Sequence, residues 1–302
     1  MIGANTHRSG PRHPPASTPP TAGPDHANPP ESSDHPPSAS PVAAQSPPLP
    51  PRVLGGYWPA TLARLAGRGH AAVARAAPAT PVPPYFALRH GLSGGAAAPV
   101  LRFHDLDIPG IGTLRATDIS GPRAEIFNAM LFPARPDLLP VFASEVVVFA
   151  GKVRVGVVDL QPLHGEALHH RTLAVLAPVA ARFAQPAESA DLPPGGDLPD
   201  WALAHFTPHA IHTRPPTPPA AGPPPCPARL LEAHLAYLDA WLDLTDATPG
   251  AGAGPETDDL TPQTALADYK HHHVLNTPGL PYLGKMFGVE WTERFLAEAM
   301  YA

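Results

Sequence analysis

The chain has 302 residues and a formal net charge of −6 at neutral pH, from 20 basic and 26 acidic side chains. A protein that binds nucleic acid needs an excess of positive charge to neutralise phosphates, so this balance disfavours nucleic acid as a partner. One cysteine, Cys226, excludes a disulfide framework and metal sites built on several thiolates. No run approaches the roughly 18 apolar residues of a membrane span, and we expect a soluble protein without a membrane partner.

The 46 prolines divide the chain into two parts. Residues 1–52 are rich in proline and have almost no apolar residue between Ile2 and Val42. Such a segment buries too little apolar surface to offset its ordering entropy, so we expect a disordered tail followed by one domain at 53–302. Residues 1–22 have too many prolines for an amphipathic transit peptide, which favours a cytoplasmic protein. If the tail is nevertheless such a peptide, the location is the plastid stroma.

The predicted elements follow the chain from helix to strands and back to helix. The stretch Thr61–Ala77 predicts a helix that is stopped by Pro78 and Pro81. Five β-rich runs follow, separated by short Gly- and Pro-containing turns: 100–106, 111–120, 125–132, 139–149 and 152–160. Helical patterns return at 169–185, 229–244 and 289–300. An antiparallel meander between helices predicts an α/β fold, a three-layer α/β/α sandwich with a central antiparallel sheet.

Two motifs suggest chemistry that their surroundings do not favour. Gly91–Gly95 matches the G-x-S-x-G pattern of a nucleophilic serine, here Ser93, but no buried parallel strand precedes it and no helix follows. A flexible hairpin turn is the alternative interpretation. The clusters His169–His170 and His271–His273 suggest a metal site, yet neither contains the i, i+4 pair typical of one on a helix. We therefore expect surface histidines and no bound metal.

Polar residues on apolar strand faces are more informative. Alternation places Glu145, Asn128 and Asp159 each among apolar residues on one face of their strands, while Ser144 and Phe142 point to the opposite face from Glu145. The residues that share the face of Asp159 are Val153, Val155 and Val157. A buried carboxyl is either paired or protonated with a raised pKa, and the protonated form suits a proton donor. A purely structural role remains the alternative for each of them.

Several stretches resemble, in order and with compatible spacing, the signatures of the ferredoxin-dependent bilin reductases. They are Asn128–Pro133, Leu139–Val146, Val158–Pro162, Leu198–Trp201, Arg214–Pro215 and Asn276–Leu296. The resemblance runs from about residue 57 to the end. It implies an α/β/α sandwich that holds biliverdin IXα between the sheet and the C-terminal helices, with no bound metal or flavin. It also implies single electrons from a reduced [2Fe–2S] ferredoxin, protons from side chains, and bilin radicals between the steps.

The resemblance further implies which residues act. The family's catalytic aspartate on the sheet falls on Glu145, and Asn128 stands where the phycocyanobilin-forming branch has histidine. A glutamate of that branch falls near Ala116, and the family's second aspartate is replaced by Thr277 beside a retained Asn276. These residues imply Glu145 as proton donor and a product of the phytochromobilin or dihydrobiliverdin/phycoerythrobilin type. The alternatives are a phycocyanobilin-forming reductase and a non-catalytic bilin-binding protein.

A flat tetrapyrrole with two propionates needs apolar walls and a few cations. The candidate substrate-binding residues are Asn276, Thr277, Arg214, Phe142 and Asp159. Because ferredoxins are acidic and this chain is net negative, docking needs a local basic patch. The candidates for this patch are Lys152, Arg154, Arg171 and Lys285. Arg214, Lys285 and Arg294 are each candidates for a propionate or ferredoxin contact, with a solvated surface charge as the alternative. We also expect a monomer.

Overall fold

The computed structural model describes six stretches of the chain: 52–75, 99–184, 191–216, 225–248, 261–277 and 279–302. These stretches lie in one compact unit, Pro48–Ala302. The predicted tail up to residue 51 and the serine motif at Gly91–Gly95 lie outside the described residues. Arg52, which the sequence analysis placed in the tail, donates through Nη1 to Oδ2 of Asp118 at 3.0 Å, so this residue contacts the sheet.

Within these stretches, seven strands form one antiparallel sheet in chain order. They are β1 (Val73–Ala74), β2 (Val100–Ile108), β3 (Gly112–Ser120), β4 (Ala124–Pro133), β5 (Val141–Phe149), β6 (Lys152–Gln161) and β7 (Ile211–Thr213). Strands β2 to β6 are the predicted meander, because short turns make neighbours in sequence into neighbours in the sheet. The edge strands β1 and β7 were missed, since two or three residues are too few to show an alternating pattern.

Helices precede and follow the meander. They are α1 (Tyr57–Gly67), α2 (Glu166–Ala181), α3 (Asp200–Leu203), α4 (Pro227–Asp246), α5 (Thr261–Asn276), α6 (Leu280–Phe287) and α7 (Val289–Phe295), which continues as a π-helix at Leu296–Met300. The first helix ends earlier than predicted, shortly before Gly69 takes a left-handed backbone with φ of 82°. Helix α5 was not predicted because its buried face combines Leu266 with the polar Tyr269 and His273.

Alternate residues of the strands contribute to two separate cores, one on each face of the sheet. In β4, Phe127 and Ala129 belong to a core that includes residues of α1, α2 and α4. Their neighbours Ile126 and Met130 belong to a second core with residues of α5, α6 and α7. Helices therefore cover both faces of the sheet, and the predicted three-layer α/β/α sandwich is confirmed.

A β-bulge interrupts the pairing of β5 and β6. Val147 pairs with Val155 and Val148 pairs with Val153, so that Arg154 is the extra residue on β6. Val153 consequently packs in the core with α1, α2 and α4, whereas Val155 faces the opposite side of the sheet. The prediction that placed both valines on one face is wrong, because an inserted residue reverses the alternation.

Candidate active site

A cavity of about 300 Å³ lies between the sheet and the C-terminal helices. Alternate residues of β4, β5 and β6 form its floor, among them Ile126, Val147 and Val155, and its walls come from the α3 segment, α5 and α6. The lining is mainly apolar, with a small number of polar groups. Both properties are typical of small-molecule sites, whose volumes run from roughly 300 to 1,000 Å³.

Glu145 and Asn128 border this cavity from adjacent strands. They are direct partners in the β4–β5 register, and both face the cavity as the alternation predicted. No described residue hydrogen-bonds the Glu145 carboxyl, and burial among apolar side chains raises its pKa to about 7. The buried Oδ1 of Asn128 has no hydrogen-bond partner among the described residues. The cavity therefore presents a carboxyl that is partly protonated at neutral pH beside an amide oxygen that can accept a hydrogen bond.

The neighbouring position on β3 corrects one detail of the sequence analysis. Ala116, where the family's additional glutamate was expected to fall, pairs with Ala129 and packs in the core on the other face. The residue directly opposite Asn128 on β3 is Thr117. Neither residue has a carboxyl group, so β3 brings no second acid to this position.

A second polar group at the cavity was not identified from the sequence. The Nδ1 atom of His273 donates to the backbone oxygen of Tyr269 at 2.9 Å, and the two rings lie 4.1 Å apart. The hydroxyl of Tyr269 donates to Oε1 of Gln161, whose Nε2 has no partner among the described residues. Tyr301 packs 5.5 Å from the ring of His273. The i, i+4 spacing of Tyr269 and His273 was the available signal, and the expectation of a surface histidine is wrong for His273.

The predicted substrate-binding residues fall in different places. Arg214 and Thr277 border the cavity, whereas the side chain of Asn276 donates to the backbone oxygen of His272 at 2.9 Å within α5 and does not line it. Phe142 is fully buried in the core on the opposite face of β5. Its assignment to the substrate pocket is wrong, because it is an odd number of residues from Glu145.

Asp159 supports the cavity wall without bordering the cavity. It pairs with Ala143 across β5 and β6, and its carboxyl accepts hydrogen bonds from Thr207 N at 2.7 Å and Thr207 Oγ1 at 2.6 Å. Burial raises its pKa to about 7, and the two hydrogen bonds from Thr207 oppose this increase. The assignment of Asp159 to direct substrate binding is corrected, because Thr207 covers the carboxyl.

Two of the predicted docking residues lie together at the β5–β6 turn. Lys152 and Arg154 are both exposed there. The guanidinium groups of Arg154 and Arg123 lie 5.8 and 5.4 Å from the ring centroid of Phe149. We call Arg123, Lys152 and Arg154 the basic turn patch. Arg123 was not identified from the sequence, and it joins the patch through the turn between β3 and β4.

The remaining predicted docking residues lie elsewhere. Arg171 on α2 donates to the backbone oxygen of Leu138 at 3.1 Å, near the beginning of β5. The basic turn patch lies at the other end of this nine-residue strand, which is about 30 Å long. Arg171 is therefore not part of the patch. Lys285 is exposed on α6, and Arg294 pairs with Glu298 at 3.3 Å within the last helical segment.

The two adjacent histidines of α2 lie on the surface of the protein. His169 and His170 are exposed, and Nε2 of His170 lies 3.7 Å from Glu166. Among the described residues, no group of three or more His, Cys, Asp or Glu side chains is arranged to hold a metal ion. None of the described helices combines the length and apolar character needed to cross a membrane.

Comparisons with known proteins agree with the fold and the sequence signatures. A 15,16-dihydrobiliverdin:ferredoxin oxidoreductase of Gloeobacter violaceus is 27% identical over 183 residues, which are 60% of this chain and 69% of the relative. A phycoerythrobilin:ferredoxin oxidoreductase of the same organism is 26% identical over 220 residues, covering 72% and 84%. The solved structure of phytochromobilin synthase from tomato in complex with biliverdin shares the fold, with a TM-score of 0.63, 19% identity and 82% coverage of each chain.

One family model matches most of the described residues. Residues 71–302 match the model of the ferredoxin-dependent bilin reductases. The matched range contains Glu145, Asn128, Gln161 and His273. It also includes every strand and helix that forms the cavity. The chain belongs to the ferredoxin-dependent bilin reductase family of oxidoreductases, as its sequence signatures predicted.

Proposed function

We propose that this protein reduces biliverdin IXα to a phytobilin, with electrons supplied singly by reduced ferredoxin. Each two-electron reduction adds two electrons from ferredoxin and two protons to the bilin. The observation that carries the proposal is the pair Glu145 and Asn128, which face each other across β4 and β5 in an apolar cavity. The names of the relatives support a bilin substrate and ferredoxin as the donor, and the biliverdin complex of the tomato protein supports biliverdin as that bilin.

Glu145 is the proton donor in this proposal. A general acid works best when its pKa lies near the operating pH, and burial raises the pKa of this carboxyl to about 7. The first electron makes the bilin a radical that is more basic than biliverdin, and Glu145 transfers its proton to that radical. The carboxylate is then protonated again from solvent before the next step. Asn128 has no proton to transfer at neutral pH, so it orients the bilin through hydrogen bonds.

The position of the proton donors decides which product forms. Position 128 is asparagine and not histidine, and neither Ala116 nor Thr277 has an acidic group. The proton donors implied for a four-electron reduction to phycocyanobilin are therefore missing. We therefore propose reduction of the A-ring diene system or of the 15,16 methine bridge. One two-electron reduction then gives a product of the phytochromobilin or the dihydrobiliverdin type, and a phycoerythrobilin-type product requires both reductions in succession.

The basic turn patch is the proposed docking surface for ferredoxin. Arg123, Lys152 and Arg154 gather positive charge on a chain that is net negative, which favours an acidic partner at this place. The cavity residues Ile126 and Val155 lie within three residues of the patch along β4 and β6, a distance of roughly 10 Å. A ferredoxin bound there would have its cluster near the cavity, which suits direct electron transfer to the bilin.

An anaerobic assay with biliverdin, reduced ferredoxin and the full chain tests the proposal. We expect the absorbance of biliverdin to change to that of a less conjugated bilin, and chromatography to identify a phytochromobilin-type or dihydrobiliverdin-type product. Phycocyanobilin as the main product would contradict the proposed reaction. A shift of the biliverdin bands without any product would identify a bilin-binding protein without turnover.

A further inference from the structure

The end of the cavity at Gln161 contains a buried amide whose hydrogen-bonding capacity is only partly used. Gln161 is fully buried at the last position of β6 and borders the cavity. Its Oε1 accepts from the hydroxyl of Tyr269, while its Nε2 has no partner among the described residues. A buried amide donor without a partner costs free energy of the order of a lost hydrogen bond. The site therefore has a donor available for an acceptor on a ligand.

His273 provides an acceptor beside this donor. A backbone carbonyl can only accept, so the hydrogen bond to Tyr269 O places the proton of the neutral imidazole on Nδ1. Nε2 then has a free lone pair, and no described residue hydrogen-bonds it. Burial is the main cause that lowers the pKa of His273 to about 4, which keeps the ring neutral near pH 7. The ring also borders the cavity.

Tyr269 holds both groups in place. Its hydroxyl binds the amide of Gln161, its backbone oxygen binds the imidazole of His273, and its ring lies against the ring of His273. Tyr269 is itself almost fully buried and does not border the cavity. It is therefore a positioning residue, which holds both the donor and the acceptor at the cavity.

We propose that Gln161 and His273 bind one terminal lactam of the bilin, with Nε2 of Gln161 donating to the lactam oxygen and Nε2 of His273 accepting from the lactam N–H. We call these two residues and Tyr269 the lactam subsite. The inference rests on the proposed function and adds to it which part of the substrate occupies this end of the cavity. A lactam presents an N–H donor next to a carbonyl acceptor, which is the complement of this pair.

The propionates of the bilin do not fit this end of the cavity. A carboxylate needs donors, and the lone pair on Nε2 of His273 would repel it. The cavity cation Arg214 directly follows Thr213, which pairs with Gly156, five residues before Gln161 along β6 and about 16 Å away. The propionates are thus better placed near Arg214, and a lactam is better placed at Gln161.

The test of the subsite compares two ligands by titration: biliverdin, and a biliverdin in which both terminal lactams are O-methylated. O-methylation removes the lactam N–H and the lactam carbonyl together. The wild-type chain should bind biliverdin more tightly than the ether. In Gln161→Met, which keeps the length of the side chain but cannot donate, this preference should fall about 5-fold, the value of one typical hydrogen bond. His273→Phe should reduce the preference in the same direction, and the long-wavelength band of bound biliverdin should shift in both variants.

Two matched variants serve as controls. Gln263→Met and His271→Phe make the same chemical changes at a half-buried and an exposed position of α5, both outside the cavity, and should retain the wild-type preference. If melting shows that Gln161→Met does not fold, Tyr269→Phe replaces it, since it keeps the ring and releases the amide of Gln161. If the folded variants keep the wild-type preference for biliverdin over the ether, and the long-wavelength band of bound biliverdin does not shift, the proposed lactam subsite is wrong.

The outcomes also separate this inference from the proposed function. If the wild-type chain reduces biliverdin but binds both bilins equally well, the lactam subsite is wrong and the proposed function stands. If the wild-type chain binds biliverdin neither in the titration nor in the anaerobic assay, both the proposed function and the subsite are wrong.

Discussion

The hydroxyl of Ser144 donates to Nδ1 of His234 at 2.9 Å, on the face of β5 that points away from the cavity. The other ring nitrogen, Nε2, donates to Thr61 Oγ1 at 2.8 Å, because the hydroxyl of Thr61 already donates to the backbone oxygen of Tyr57. Burial lowers the pKa of His234 to about 3, so the ring is neutral and both nitrogens are satisfied. This chain of hydrogen bonds ties α1 and α4 to the residue that directly precedes Glu145.

Ser144→Ala should destabilise the protein. The substitution leaves Nδ1 of His234 buried without a donor, which costs about 1–3 kcal/mol of the free energy of unfolding. Denaturant unfolding followed by circular dichroism measures this cost. Ser120→Ala, at the half-buried end of β3, is the matched control and should cost much less. Equal stability of the two variants would show that the Ser144–His234 bond contributes nothing.

Glu145→Gln should retain biliverdin binding and lose most of the turnover. The amide keeps the shape of the side chain but cannot transfer a proton, and general acid catalysis is typically worth ~10²–10⁴-fold. Initial rates with reduced ferredoxin measure the loss, and electron spin resonance should show an accumulated bilin radical. Glu293→Gln, on the exposed side of α7, is the control and should behave as wild type. A loss of only twofold would place the proton donor elsewhere.

Turnover should fall as the pH rises through about 7. Burial raises the pKa of the Glu145 carboxyl to this value, so the fraction that carries a transferable proton decreases above it. A pH–rate profile at saturating biliverdin and ferredoxin shows the decrease. The residual rate of Glu145→Gln should lack this limb of the profile. The same limb in the variant would assign the titration to another group.

The same pKa makes stability depend on pH. The folded protein binds the Glu145 proton more tightly than the unfolded chain does, so stability should decrease as the pH rises from the ordinary glutamate pKa towards 7. Asp159, whose pKa is also raised to about 7, adds to the decrease. Melting temperatures between pH 5 and 8 measure it, and Glu145→Gln should flatten the dependence. An unchanged slope in the variant would contradict the assignment.

Charge reversal in the basic turn patch should weaken the use of ferredoxin. Lys152→Glu should raise the KM for ferredoxin several-fold, more than it lowers kcat, and the effect should diminish at high salt. Arg171→Glu makes a similar change at the other end of β5 and is the control, with its folding checked by melting. If both variants raise the KM equally, the effect comes from net charge and not from docking at the patch.

Removal of residues 1–51 should leave folding and bilin reduction unchanged, because this segment has too little apolar surface to stabilise a fold. The deletion ends before Arg52, whose guanidinium pairs with Asp118. Extending the deletion through Arg52 should lower the melting temperature slightly, since a partly exposed ion pair is worth about 1 kcal/mol or less. Thermal melts of the two truncated chains make the comparison. A large loss of stability in the shorter deletion would show that the tail contributes to the fold.

The meander and the two principal cavity residues were predictable from the sequence, because both follow from local rules. Alternation and Gly- or Pro-containing turns locate β2 to β6, and an even spacing along a strand is sufficient to place Glu145 among apolar residues. Asn128 is placed by the same rule on the adjacent strand. Its direct pairing with Glu145 was not predicted, because seven residues connect β4 to β5 and a connection of this length does not set the register. No contact between distant parts of the chain is needed for these predictions.

Tertiary packing decided the rest of the site. The bulge at Arg154, which places Val153 on the opposite face of the sheet from the predicted one, depends on how β5 and β6 pair. His273 is buried because α5 packs on the sheet, and its imidazole meets the amide of Gln161 only through Tyr269. Arg171 is close to Lys152 in sequence but lies about 30 Å from it, because the two residues lie near opposite ends of β5. The contacts of α5 with Gln161 and of Arg171 with Leu138 join segments more than 30 residues apart, and local periodicity contains no information about which distant segments meet.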